Sequence, residues 1–326
     1  MRLRNLLAII IILIVGFGNQ SKAQDIHFTT WDMSPLTVNP AFAGSYLGSF
    51  RIGGIYRDQW RGGFEGGAGL FTTPSAYIDA PIIRGFRKND WVGVGVMFFS
   101  DQAGTFDLGY SATRLGAAYH LGLNKQQTSV LTLGVQWGST SYDLSLDQGT
   151  IVSPNPDEFS MLTGGNMMGG NNSFSDYRVG LLFKSLLNDR TNIAIGGSGA
   201  YITAPNARIL NDFERPLLLQ FHGQIGFGLN EKWTLTPQVY YQTTASANEL
   251  SLQAWGGYKF NKDYTLRPGI GYRATGNAIE ALFGVDIRDN IRATLAYDFS
   301  LAELASVTSG AGAIELAVYY LSLIHI

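Results

Sequence analysis

The sequence predicts an all-β fold, an antiparallel transmembrane outer-membrane β-barrel of about 14 strands with short periplasmic turns and longer external loops. Three observations support it: a secretory signal at the start, period-two alternation of apolar and polar residues, and connections of alternating length. Charged residues are 15% of the 326, below the ~25% typical of soluble domains, and there are 40 glycines. This composition alone leaves a soluble all-β protein open as the alternative.

Residues 1–23 have the composition of a signal peptide. A positively charged start is followed by the continuously apolar residues 6–15, and Ala23 ends a small-residue site of the kind that signal peptidase recognises. A membrane anchor is the less favoured alternative, because a spanning helix needs ~20 apolar residues. We therefore expect Gln24 to begin the mature chain.

Residues 24–47 precede the barrel and do not alternate. Pro35 and Pro40 interrupt any regular strand or helix in this segment. We interpret it as either a periplasmic arm or a plug of the barrel lumen.

Residues 48–320 form the predicted barrel. Residues 290–301 show the alternation clearly, with Leu295 and Phe299 on one face and Thr294 and Asp298 on the other. Most segments are long enough to cross a membrane at a tilt. The predicted strands are 48–60, 72–83, 90–101, 107–123, 128–143, 174–187, 191–204, 215–230, 232–245, 248–261, 264–275, 277–288, 290–301 and 312–320.

The lengths of the connections differ between the two ends of the predicted barrel. Connections after even-numbered strands are short and rich in Asn, Asp and Lys, as at 124–127. Connections after odd-numbered strands include the long ones at 61–71, 144–173, 205–214 and 302–311. In outer-membrane barrels the short turns are periplasmic, which predicts that both termini lie in the periplasm and the long loops outside.

The polar faces should line the lumen, and their charges have both signs. Mixed charges favour a packed or plugged lumen over a wide pore, since an ion-selective porin tends to have a constriction of one sign. The charged residues assigned to the lumen are Arg51, Arg178, Lys184, Lys259, Arg267, Arg273, Glu280, Asp286, Arg292, Asp298 and Glu315.

Residues 321–326 have the sequence Leu-Ser-Leu-Ile-His-Ile, which matches the translation of a common sequencing adapter. We interpret them as an artefact that follows the end of the final strand near Tyr320. A natural extension of that strand is the alternative.

The sequence contains no pattern that indicates an enzyme. It has no cysteine, and its histidines (His27, His120, His222 and His325) are not at metal-ligand spacing. We predict no catalytic residue, no cofactor and no metal site. The formal net charge of -2 also gives no reason to expect a nucleic-acid partner.

Two motifs resemble signatures of the PorP/SprF family of type IX secretion proteins of Bacteroidetes. The first comprises Gln24-Asp25-Ile26-His27-Phe28, Ser34-Pro35-Leu36 and Asn39-Pro40-Ala41-Phe42-Ala43-Gly44, and the second is Tyr56-Arg57-Asp58-Gln59-Trp60. The family motif residues, whose roles are not assigned, are His27, Phe28, Pro35, Asn39, Pro40, Ala41, Gly44, Tyr56, Arg57, Asp58, Gln59 and Trp60. We favour structural roles for them over direct contact with a substrate.

The resemblance implies an outer-membrane component of the type IX secretion and gliding machinery. Such a protein assists the export or surface attachment of partner proteins, and its expected partners are lipid, other secretion components and a secreted or cell-surface substrate. A passive outer-membrane porin or small-solute channel is the alternative, supported by the barrel architecture alone.

Overall fold

The computed structural model describes residues 26–61, 71–85, 87, 89–103, 108–144, 170–206, 214–245, 247–275, 277–301 and 310–322. The strands of this part form one closed barrel in which each strand pairs antiparallel with its neighbours in sequence, and the last strand pairs with the first. The predicted fold class and strand number are confirmed. None of the described helices is long and apolar enough to cross a membrane.

The 14 strands are 10 to 19 residues long. Their bounds are β1 (Phe50–Gln59), β2 (Phe71–Arg84), β3 (Trp91–Ala103), β4 (Leu108–Gly122), β5 (Ser129–Leu144), β6 (Gly170–Asn188), β7 (Thr191–Ala200), β8 (Leu218–Gly228), β9 (Trp233–Thr243), β10 (Asn248–Lys259), β11 (Tyr264–Arg273), β12 (Ala278–Ile287), β13 (Ile291–Ser300) and β14 (Ala313–Ser322).

The outer face of the barrel carries an apolar band. Phe283 on β12, Leu295 on β13 and Leu316 on β14 lie side by side across the strands and are 51%, 46% and 60% exposed. The neighbouring Thr294 and Asp298 face inward and are buried. The alternation predicted for residues 290–301 is therefore confirmed, and this outer face suits contact with lipid.

The two ends of the barrel differ as the sequence predicted. The short-turn rim consists of the turns that follow even-numbered strands, such as 189–190 and 260–263. The long-loop rim carries the connections after odd-numbered strands, which include 60–70, 145–169 and 301–312. The predicted long connection 144–173 lies largely outside the described residues, although its last residues, from Gly170, belong to β6.

Residues 26–47, called the lumen segment from here on, lie inside the barrel. The segment contains a 3-10 turn (Trp31–Met33), the single helical turn α1 (Pro35–Val38) and a second 3-10 turn (Pro40–Phe42). Most of its residues are buried. Pro35 and Pro40, predicted only to interrupt regular structure, each occupy the first positions of a helical turn, where proline's fixed φ is favourable.

The two ends of the described chain lie at opposite rims. Ile26 lines a cavity with Trp60 and Phe71 at the long-loop rim, whereas Ser322 pairs with Phe50 at the short-turn rim. The lumen segment therefore runs the length of the barrel before β1 begins. The expected mature amino terminus, Gln24, lies outside the described residues, so the periplasmic location of both termini stays a prediction. The predicted signal peptide lies outside the described residues.

The final strand extends further than predicted. Leu321 pairs with Arg51 and Ser322 with Phe50, so β14 continues two residues past Tyr320 into the adapter-like sequence. Residues 323–326 lie outside the described part of the chain. The adapter origin of 321–326 stays a prediction.

Candidate functional site

The lumen segment rests against a row of small residues on the barrel wall. Gly93, Ala118, Gly134 and Gly180 are direct neighbours across β3, β4, β5 and β6. A Cβ atom at Gly134 would lie 2.3 Å from the backbone nitrogen of Ala41, and one at Gly180 would lie 2.0 Å from Oδ1 of Asn39. The wall therefore leaves room for the segment only because side chains are small or absent along this row.

Asn39 is the centre of the contact between the first motif and the wall. Its Oδ1 accepts a hydrogen bond from the N–H of Ala41 at 2.9 Å, which caps the second 3-10 turn. Its Nδ2 lies 2.9 Å from the carbonyl oxygen of Leu181 on β6 and 3.1 Å from Nε2 of His222 on β8. It also lies 3.2 Å from the carbonyl oxygen of Gly197 on β7, so one buried amide joins the turn to three consecutive strands.

The buried His120 on β4 holds the next part of the same motif. Its Nε2 lies 2.8 Å from the carbonyl oxygen of Ala43, so this nitrogen carries the proton and donates. Its Nδ1 then accepts from the hydroxyl of Thr132 at 2.9 Å. Both ring nitrogens of His120 are used in holding the segment, and its ring stacks on that of Trp91.

Gly44 ends the first motif where the chain turns toward β1. It has a positive φ of +66°, which favours glycine, and its N–H donates to Asp79 at 2.7 Å. Asp79 also accepts from Nε of Arg51 at 2.9 Å. The turn is therefore tied to β2 through a carboxylate that a guanidinium on β1 neutralises.

A charge cluster surrounds the beginning of the lumen segment. Arg57 of the second motif is 2% exposed and donates to Asp298 at 2.8 Å, to Glu315 at 3.3 Å and to the hydroxyl of Thr29 at 2.6 Å. Arg273 contacts Asp298 at 3.1 Å. The cluster comprises Arg57, Glu249, Arg273, Glu280, Asp298 and Glu315.

The cluster connects several strands of the barrel and also binds the lumen segment. The N–H of Thr29 donates to Glu315 at 2.8 Å, and the N–H of Thr30 donates to the same carboxylate at 2.6 Å. The hydroxyl of Thr30 also contacts Glu315. Charge-assisted bonds of this kind are about twice as strong as neutral ones, so the start of the segment is firmly held.

A second ion-pair network supports α1 from the opposite wall. Asp176 on β6 contacts Arg114 on β4 at 2.9 Å and Arg178 at 3.6 Å. Arg178 donates to the carbonyl oxygen of Thr37 at 2.7 Å. Opposing walls of the barrel are thus connected through the segment between them.

Arg57 of the second motif contacts Thr29, the residue that follows Phe28 of the first motif. Not all residues of the two motifs take part in holding the segment. His27 lies 3.3 Å from Glu249. Tyr56 faces outward and is exposed, and Asp58 pairs with Arg61 at 2.6 Å. The remaining positions are as follows: Phe28, Pro35, Pro40 and Ala41 are buried in the lumen, while Gln59 and Trp60 line the cavity at the long-loop rim.

The sequence did not single out several residues that hold the segment. Asp79, Arg114, Asp176 and Glu249 all belong to the ion-pair networks. Each lies at an inward position of its strand, so the alternation of apolar and polar residues indicated that it faces the lumen. The alternation did not indicate which residues would be its partners. Lys259, which was assigned to the lumen, lies exposed at the end of β10.

The described residues contain no group of three or more His, Cys, Asp or Glu side chains arranged to hold a metal ion. His120 and His222 are engaged with the segment, as described above, and His325 lies outside the described part. Both of these lumen histidines therefore help to position the peptide segment.

The closed wall of 14 strands, its apolar outer face and its polar interior define an outer-membrane β-barrel protein. Among known families, the model of the type IX secretion system membrane protein PorP/SprF matches residues 20–320. The chain belongs to the PorP/SprF family and is therefore a membrane component of the type IX secretion system. The resemblance indicated by the two motifs is confirmed.

Solved structures with a similar fold are outer-membrane barrels. The Ralstonia pickettii toluene transporter TbuX has a TM-score of 0.54 at 10% identity, covering 90% of this chain and 94% of that one. The Pseudomonas putida toluene transporter TodX has a TM-score of 0.51 at 16% identity, covering 88% and 93%. These identities show a common fold alone. No curated protein matches the sequence.

Proposed function

We propose that this protein assists the export or surface attachment of partner proteins by the type IX secretion machinery, without serving as the conduit. Membership of the family supports the role in export or surface attachment. The lumen segment, which fills the barrel, supports the statement that this barrel is not the conduit, and it is the observation that carries the proposal. Its partners are then other secretion components and a secreted or cell-surface protein, which meet the barrel at its rims or outer face.

The closure of the lumen rests on contacts around the whole barrel. The segment is hydrogen-bonded to β1 through β8, β10, β11, β13 and β14. On β9, Tyr240 stacks against Trp31 with ring centroids 5.7 Å apart. A segment held from all sides behaves as part of the core, so we assign no catalytic role and no transport of bulky solutes to the lumen.

For the orientation, we propose that the short-turn rim faces the periplasm and the long-loop rim faces outward. The sorting of loops by length supports it. The carboxyl end of β14 would then be periplasmic. Ile26, the first described residue, would lie near the external mouth.

A passive channel for small solutes is the second candidate. The toluene transporters TbuX and TodX have a similar barrel, but their identities of 10% and 16% carry only the fold to this chain. Conductance across planar bilayers that depends on solute size would favour this candidate. We expect the closed lumen of the wild-type protein to give little or no conductance.

The deciding experiment is deletion of the gene followed by quantification of surface and secreted proteins. We expect at least one large exported protein to accumulate inside the deletion strain and to return to the surface when the wild-type gene is restored. The control is restoration with a gene that carries Leu295→Phe, an apolar exchange on the lipid-facing surface that should leave folding and export unchanged. Unchanged export in the deletion strain would overturn the proposal.

A further inference from the structure

A second cavity opens at the short-turn rim, between the end of the lumen segment and β5, β6 and β7. Its volume is about 360 Å³, which is within the range of small-molecule sites. Gln127 and Leu47 at its edge are exposed, so the cavity is accessible from the rim. Lys184 on β6 and Asn192 on β7 lie in its wall.

Lys184 is the only charged residue that lines this cavity among the described residues. Its side chain faces the lumen, and its Nζ donates to the carbonyl oxygen of Ser45 at 2.6 Å. An ammonium group has three donors, and that bond uses one of them. No carboxylate of the described residues forms a salt bridge with Lys184.

The charged groups that act on Lys184 through space are already paired with each other. They are Arg51 and Asp79, whose Nε and Oδ1 atoms are 2.9 Å apart. Asp79 also accepts from the N–H of Gly44. The positive charge of Lys184 therefore lacks a carboxylate of its own, although it lies beside a cavity that could hold one.

The rest of the wall fits an anionic oxygen group beside an apolar portion. Thr128, Ser185, Asn192 and Gln224 bring hydroxyl and amide groups that can donate hydrogen bonds. Apolar walls come from Leu47, Trp91, Val130 and Ile193. Hydrogen bonds from an ammonium to a phosphate or carboxylate are of the strong, charge-assisted class.

We propose that this cavity binds a phosphate group, with Lys184 as its cationic ligand and the neighbouring hydroxyl and amide groups as further donors. The phosphate comes either from a free ion or from the headgroup of a phospholipid, whose acyl chains would contact the apolar wall.

Binding is tested with the full-length protein in a neutral detergent, by calorimetric titration and by thermal unfolding. One arm uses inorganic phosphate, and the other uses the short-chain lipid dihexanoyl phosphatidylglycerol, with dihexanoyl glycerol as the uncharged control. Lys184→Gln removes the charge. The matched control is Lys125→Gln, which removes an exposed lysine from the nearby 123–128 turn without touching the cavity wall.

We expect at least one of the two phosphate probes to bind the wild type and Lys125→Gln equally, and Lys184→Gln at least tenfold more weakly. Binding of the lipid alone would identify the headgroup as the source, and binding of both would identify the phosphate itself. Lys184→Arg, which retains a cation, should keep most of the affinity. The proposal is overturned if neither probe binds, or if Lys184→Gln and Lys125→Gln bind equally well.

Discussion

Placing a methyl group at Gly134 tests the fit between the lumen segment and the small-residue row. The new Cβ would lie 2.3 Å from the backbone nitrogen of Ala41 and 2.5 Å from the carbonyl carbon of Pro40. Both are backbone atoms of a buried turn, so the turn must move. Overpacking of a well-packed interior costs about 1–3 kcal/mol.

A second contribution follows if the turn does move. The hydrogen bonds that Asn39 makes with Leu181 and His222 would lengthen or break, at about 0.5–1.5 kcal/mol each. We therefore expect Gly134→Ala to lower the free energy of unfolding by about 1–3 kcal/mol, or by somewhat more if these bonds are lost. It should also raise conductance, because the turn would no longer seal the wall.

The matched control is Gly116→Ala on the neighbouring strand β4. This glycine also faces inward, but its Cβ would meet nothing closer than 3.5 Å. Both substitutions reduce the entropy of the unfolded chain alike, by about 0.4–1 kcal/mol, so the difference between them isolates the clash. Urea unfolding in phospholipid vesicles and planar-bilayer conductance measure the two effects. Equal unfolding free energies for Gly134→Ala and Gly116→Ala would refute the reasoning.

Three further predictions address the charge cluster, the lipid face and the orientation. Arg57→Met should cost about 3–5 kcal/mol in urea unfolding, because it leaves Glu315 without a guanidinium and Asp298 with that of Arg273 alone. Arg288→Met, at the exposed pair with Asp263, should cost no more than about 1 kcal/mol, and similar losses for the two variants would contradict the assignment. Leu295→Arg should cost about 2–4 kcal/mol if this position is near the bilayer midplane, and Leu295→Phe much less. Protease added to intact cells should cut within 144–173 and spare the 124–127 turn; the reverse pattern would invert the orientation.

Alternation carried most of the information about the barrel wall. In a strand, successive side chains point to opposite faces, so one apolar face is enough to fix which residues meet lipid. This is why Leu295 and Thr294 could be assigned to the outside and the inside before any pairing was known. The parity of loop lengths in turn fixed which strand ends share a rim, because neighbouring strands are antiparallel.

The first motif shows where such reasoning stops. Pro35 and Pro40 could be recognised as interruptions of regular structure, and the two proposed locations for residues 24–47 stayed open. The choice of the lumen depends on glycines at 93, 134 and 180, which come from three strands. These glycines lie at the same height in the barrel because of the register between the strands, and strand register cannot be read from the order of residues along the chain.

The charge cluster likewise depends on contacts between residues that are far apart in the sequence. The alternation of β13 and β14 already placed Asp298 and Glu315 inside, and their mixed surroundings suggested a packed lumen. The hydrogen bonds from Thr29 to these two carboxylates depend on closure of the barrel, since Thr29 and Glu315 are 286 residues apart in the sequence. Periodicity along one strand specifies the direction of a side chain, whereas its partner across a lumen is specified by the geometry of all 14 strands together.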